Sequence, residues 1–321
     1  MEACEGLGAA WRRCRAVRNA VRPLGAELLW RPYRRGFPLR AGFVARALAA
    51  PRDAPPKDAR ERGVVARGAA DRVGWSPPRG RSPGRRRPCV LVCAPSNKAV
   101  FVVLEEFAAS DILDFLGYAG FGAQAVQEER SFMSGKLGSR VMGSNVTIWD
   151  DPTHPTSVPR PFDAEGMPAQ RVDLVVGGVA GSPVYDRRTA AKEGRQTTGH
   201  ALPAAYPIGP MPRNLFLLPG DTPRADLVRT VKRGLLVTRF WYTRVVHPLT
   251  VLMTGMTRDG TFLVEDGEIV AAVENLRFTE SYVEAMNRVE AMSRETKLVR
   301  EFFSTNRVPA LRIKGWRFTG R

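Results

Sequence analysis

Three histidines, His154, His200 and His247, stand in separate segments of a 321-residue chain. None is followed by Glu, so the zinc-peptidase arrangement of two histidines on one helix face with a glutamate base cannot be assembled from them. In "IWDDPTHP", Asp150, Asp151 and His154 are close enough in sequence to share a metal. With Pro152 and Pro155 beside them they also suit turn and cap hydrogen bonds where a strand ends, and that reading is preferred. Asp163 and Glu165 in "PFDAEGMP" form an acidic pair that does acid/base work if burial raises one pKa; Gly166 after them favours a polar turn. His200 in "TTGHALP" and His247 before Pro248 have no Cys or nucleophilic-serine motif beside them, and G-x-S-x-G is absent. The catalytic candidates are therefore Asp150, Asp151, His154, Asp163 and His200. Arg213 and Asn214, in "PMPRNLFLLPGD", are candidates to present a groove to a peptide, against the alternative that they only build a turn.

Two further patterns fail on context. Gly120-Phe121-Gly122-Ala123-Gln124-Ala125 fits a dinucleotide fingerprint in letters, but it follows a helix-like segment and no acidic residue lies about 20 positions on to bind a ribose. Cys89 and Cys93 have metal-pair spacing without a second pair, and no cysteine follows residue 93. Neither a metal nor another cofactor is expected in this chain.

The elements that must position the candidates begin near Ala99. "AVFVVLEE" reads as a buried strand, and Ser110 as the N-cap of a helix with Ile112, Leu113, Phe115 and Leu116 on its apolar surface. Gly117, Gly120 and Gly122 then break that pattern. Val172 to Val176 and Val179 to Tyr185 flank Gly177-Gly178 as a hairpin; Phe262 to Val264 and Ile269 to Val273 flank Asp266-Gly267 as another. Leu235 to Val246 reads as a long strand, "MTRDGTF" as a loop, and "VPALRIKGWRF" as extended. A helix is predicted between Glu280 and Phe303, opened by the capping-box spacing Ser281-x-x-Glu284 and carried by Val283, Met286, Val289 and Met292. Short turns between sequential strands favour antiparallel pairing, so the fold class is α+β, a largely antiparallel sheet with a few helices.

Charge divides the chain in two. Residues 1–88 hold 21 Lys+Arg and 7 Asp+Glu, net +14; the remainder holds 28 and 25, net +3, which together make the total of +17. The first part, to residue 98, is an Arg/Pro/Ala-rich segment without helical or strand period, expected to be disordered, or to be out-of-frame text from GC-rich DNA. Residues 99–321 are the expected folded domain. The basic residues are scattered among Pro, Gly and Ala rather than set on a folded face, which argues against a specific nucleic-acid domain; non-specific binding through the arm is an alternative that removing residues 1–98 would abolish. No apolar run approaches the ~18 residues of a membrane span, and a cytoplasmic location is expected. Arg-rich residues 11–50 resemble a transit peptide only faintly.

The phrases "VLEEFAASDILDFLGYAGFGA", "SFMSGKLGSRVMGSNVTIWDDPTHP", "PRNLFLLPGD", "RGLLVTRFWYTRVVHP", "TGMTRDGTFLVEDGEIVAAVENLRFTES" and "VPALRIKGWRFT" follow one another in an order and spacing that resemble the TldD/PmbA family, the modulator-of-gyrase metallopeptidases. The likeness is to their C-terminal domain and covers roughly residues 101 to 321. TldD-like members carry His-Glu-x-x-x-His on a helix and a downstream cysteine, and use zinc to cleave unfolded or flexible peptides; PmbA (TldE)-like members lack the motif and pair with the active subunit. The corresponding stretch here is "DILDFLGYAG", where Asp111, Asp114 and Tyr118 are polar but make no histidine pair. The resemblance thus implies the PmbA branch: a non-zinc-binding partner of a TldD-like peptidase subunit, with zinc in that partner and a flexible peptide as substrate. It also implies an N-terminal α/β domain that residues 1–98 do not resemble, as a truncated gene or a lost domain would leave. The alternative to the partner role is an independently active hydrolase using the Asp and His candidates.

Overall fold

The computed structural model describes residues 99–320; the cysteines and the basic arm lie outside them. The predicted first strand is β1 (Ala99–Leu104), and its alternation separates two apolar clusters. Val102 and Leu104 join the larger cluster, Val103 the smaller one on the opposite face. Helix α1 (Glu106–Gly120) follows at once and lays Ile112, Leu113 and Leu116, all fully buried, into the larger cluster. It starts four residues earlier than the sequence suggests. Ser110 is therefore not a cap but a buried residue inside the helix, whose hydroxyl accepts from Asn306 Nδ2. Gly117 stays helical, and Gly122 becomes the N-cap of the short α2 (Ala123–Gln127).

The remaining strands are β2 (Ile148–Asp150), β3 (Val172–Val176), β4 (Val179–Ala180), β5 (Asn214–Leu217), β6 (Arg233–His247), β7 (Leu252–Glu265), β8 (Glu268–Ala272), β9 (Arg277–Ser281), β10 (Val289–Arg300) and β11 (Thr305–Gly320). Three more helices, α3 (Arg187–Lys192), α4 (Arg224–Arg229) and α5 (Tyr282–Asn287), lie between them. The class is α+β as expected, with one eleven-stranded sheet among the described residues. Most pairings are antiparallel, but β1–β6 and β5–β11 are parallel, so the sheet is mixed. The pairings β1–β6–β7–β9–β11–β1 close a ring; β5, β2, β3 and β4 continue outward from β11 as an open wing.

Both predicted hairpins form. Gly177 and Gly178 have φ of 54° and 81°, and Asp266 and Gly267 have 47° and 79°, the left-handed pairs that a two-residue hairpin turn requires. The strand after Gly178 is only two residues long, however, and "MTRDGTF" is not a loop but a bulged part of β7.

The predicted helix from Glu280 to Phe303 is the main correction. Ser281 does cap a helix, accepting from Glu284 N at 3.2 Å, but α5 ends at Asn287 and residues 289–300 are β10. The spacing misleads because register shifts between Val289/Ala291 and Met292/Thr296 insert extra residues against β11. Buried Val289 and Met292 thereby fall three apart, a helical interval produced by a bulged strand.

Candidate functional site

Asp150 ends β2 and Asn214 begins the adjacent β5, where the register sets Asp150 opposite Leu215. Asn214 N donates to Asp150 Oδ1 at 2.7 Å, and Asp151 N donates to the Asn214 carbonyl at 3.0 Å. Gly199, at φ 72°, turns the incoming chain where a Cβ would stand 2.2 Å from the Pro168 carbonyl oxygen, and this turn delivers His200. His200 Nε2 lies 2.8 Å from Asp150 Oδ2, both side chains buried, while Nδ1 lies 2.9 Å from Thr198 Oγ1. Asp163 closes the loop over them: Oδ1 accepts from Glu165 N and Met167 N, and Oδ2 from Ala201 N, each at 2.9 Å. Glu165 is exposed and accepts from Arg187 N at the start of α3.

These elements frame a cavity of about 340 Å³ lined by Asp150, Asp163, His200, Arg213 and Asn214 together with Arg160, which sequence reasoning missed. Five of the seven candidate residues are thus brought together from four separate segments. Asp151 and His154 are not among the lining residues. Asp151 Oδ1 accepts from Thr153 N and Oγ1, the turn-capping alternative; His154 Nδ1 accepts from Thr156 N, and its ring rests 4.7 Å from Phe216. Nothing in the local sequence marks Arg160, which stands between Pro159 and Pro161, or the Asp150–His200 pair, whose members are fifty residues apart. Both ring nitrogens of His200 are engaged within the protein, and no Ser, Thr, Cys or Lys is among the lining residues.

The second polar cluster surrounds the "DILDFLGYAG" stretch on α1. Asp111 accepts from Tyr282 Oη at 2.5 Å and Thr243 Oγ1 at 3.0 Å; Asp114 lies 2.6 Å from Ser304 Oγ. Burial pushes Asp111 up to about 7 against the Tyr282 and Thr243 hydroxyls, Asp114 up to about 6 against Ser304, and nearby Glu301 up to about 7 against Ser110. Tyr118 stacks on Phe303 at 4.4 Å. This donor set does not fit zinc. Helix α1 has no His or Cys, Asp111 and Asp114 are engaged by hydroxyls, and among the described residues no group of three or more His, Cys, Asp or Glu is placed to hold a metal ion.

The family model for the PmbA/TldA metallopeptidase C-terminal domain matches residues 97–320. The chain belongs to that family. Among relatives, a metalloprotease of Methanothermobacter thermautotrophicus is 28% identical over 225 residues, covering 68% of this chain and 48% of that protein. A metalloprotease TldD homolog of Haemophilus influenzae is 28% identical over 175 residues, 54% of this chain and 36% of that one. The crystal structure of TldE from Thermococcus kodakarensis shares the family fold at a TM-score of 0.63 and 21% identity, covering 70% of this chain and 51% of that one. The chain thus spans about half or less of the length of these relatives.

Proposed function

We propose that this metallopeptidase-family chain is the partner subunit of a TldD-like peptidase, contributing a peptide-facing or partner-facing surface in the cytoplasm rather than a zinc site of its own. The observation that carries this reading is the chemistry of α1. Where the family resemblance places His-Glu-x-x-x-His, the chain has Leu113 fully buried and Asp111 and Asp114 tied to hydroxyls from β6, α5 and the β10–β11 turn. Zinc and the bond-breaking step then belong to the partner, and this chain's share is to hold a flexible peptide.

Metal analysis of the purified full chain, alone and copurified with a TldD-like subunit, tests the reading. Zinc is expected in stoichiometric amount only in the complex, with chelator-sensitive peptide cleavage there alone. Stoichiometric zinc in the lone chain, lost together with cleavage on His154→Ala or His200→Ala, would overturn it. Chelator-resistant casein cleavage by the lone chain, abolished by His200→Ala, would instead establish the alternative, a hydrolase active by itself.

A further inference from the structure

Two arginines and two aspartates line the cavity beside β2 and β5. Neither Arg160 nor Arg213 enters an ion pair among the described residues. Arg160 Nε is buried and has no hydrogen-bond partner. Burial first, then the Arg213 and Arg300 guanidiniums, hold Arg160 below its ordinary value, against the pull of Asp150. The two lining carboxylates already have partners, Asp150 in His200 and Asn214 N, Asp163 in three backbone N–H groups.

The Asn214 side chain is fully buried, and Nδ2 donates to Ser157 Oγ at 2.9 Å and to the Val158 carbonyl at 2.7 Å. A carbonyl only accepts, so the amide orientation is fixed and Oδ1 is the atom left without a donor. Arg160 Nε and Asn214 Oδ1 are closed off from a ligand, and the polarity the cavity offers one is that of its arginine side chains.

We propose that this cavity binds the C-terminal residue of a peptide, its carboxylate between Arg160 and Arg213. Guanidiniums take carboxylates in paired hydrogen bonds, and a terminal residue adds an apolar side chain that inorganic phosphate lacks. Phe162, Pro203 and Met211 give the side chain apolar wall, and the volume sits at the small end of ligand pockets, suited to one or two residues. The inference stands on the cavity alone and does not require pairing with a peptidase.

Fluorescence anisotropy with the full lone chain tests it. The probes are a fluorescein-labelled hexapeptide ending in Leu as the free acid, its C-terminal amide, and an amide isomer with one internal Glu. The free acid is expected to bind at least about tenfold more tightly than either amide, the effect of losing a charge-assisted pair. N-Acetylleucine should displace it at lower concentration than inorganic phosphate does. Arg213→Gln should erase the preference for the free acid while the thermal midpoint stays that of the parent. Arg160→Gln serves if the first variant fails to fold. No binding, equal binding of acid and amide, equal binding of the Glu isomer, stronger competition by phosphate, or a preference that survives both variants would each overturn the proposal.

Discussion

Ser304 has one hydroxyl proton and two acceptor oxygens within reach, Asp114 Oδ1 at 2.6 Å and Asn306 Oδ1 at 2.7 Å. Asn306 is fixed in this orientation because its Nδ2 donates to the Ser110 carbonyl and hydroxyl. A proton on Asp114 resolves the conflict: the acid donates to Ser304, which donates to Asn306. Burial raises Asp114 despite the donors that face it, as it raises Asp111 and Glu301. A carboxyl raised in the folded state stabilises fully below its unfolded pKa near 4 and loses that contribution as pH climbs through 6 to 7. The unfolding free energy should accordingly fall between pH 5 and pH 8, by at most about 1.4 kcal/mol per pH unit for each group. Urea titrations of Asp114→Asn across that range should show a shallower fall than the parent; an unchanged slope would contradict the assignment. In the cavity, Asp150→Ala leaves Asn214 N and His200 Nε2 buried without their acceptor, and should lower stability by about 3–5 kcal/mol in a urea titration at pH 7.

Among the elements, those set by local rules were legible in the sequence. The Gly177-Gly178 and Asp266-Gly267 turns depend on the backbone freedom of two residues, and β6 on a run of β-branched and aromatic side chains. Gly178→Ala makes the first of these testable. At φ 81° its Cβ would meet the Met142 carbonyl oxygen at 2.2 Å, so the substitution should cost about 1–3 kcal/mol and lower the thermal midpoint. Gly135→Ala has a comparable φ of 68° with nothing near its Cβ, and should cost less than Gly178→Ala in the same melt. What was not legible depends on partners far away in sequence. A helix of six residues before β10 satisfies the same Ser281 spacing as a long one, and only β11 decides that Val289 onward is strand. The candidate residues Asp163, Arg213 and Asn214 were each readable as turn chemistry, and Asp163 does perform it. Their convergence with Asp150, Arg160 and His200 depends on β2 pairing with β5 and on the Gly199 turn, neither of which leaves a short-range pattern.

The molecule's described sheet hangs on its last strand. β11 pairs with β10, β9, β1 and β5, so it both closes the ring and attaches the wing that carries Asp150 and Asn214. Ending the chain at Phe303 should abolish cooperative unfolding and near-ultraviolet circular dichroism together, whereas a native-like melt of that truncation would show that the ring does not need closing. The parallel contact of Thr305–Arg307 with Asn214–Phe216, reinforced by Thr305 N donating to the Arg213 carbonyl, also fixes an order of events in time. The β5 strand, which begins at Asn214 directly after Arg213, has one earlier neighbour in the sequence, β2, and gains its other only from Thr305–Arg307. Long-range pairings of this kind are the slow ones in folding. The cavity is consequently a late product of folding: until Thr305–Arg307 lie beside β5, its wall stands on a sheet edge and offers no finished place for a peptide end.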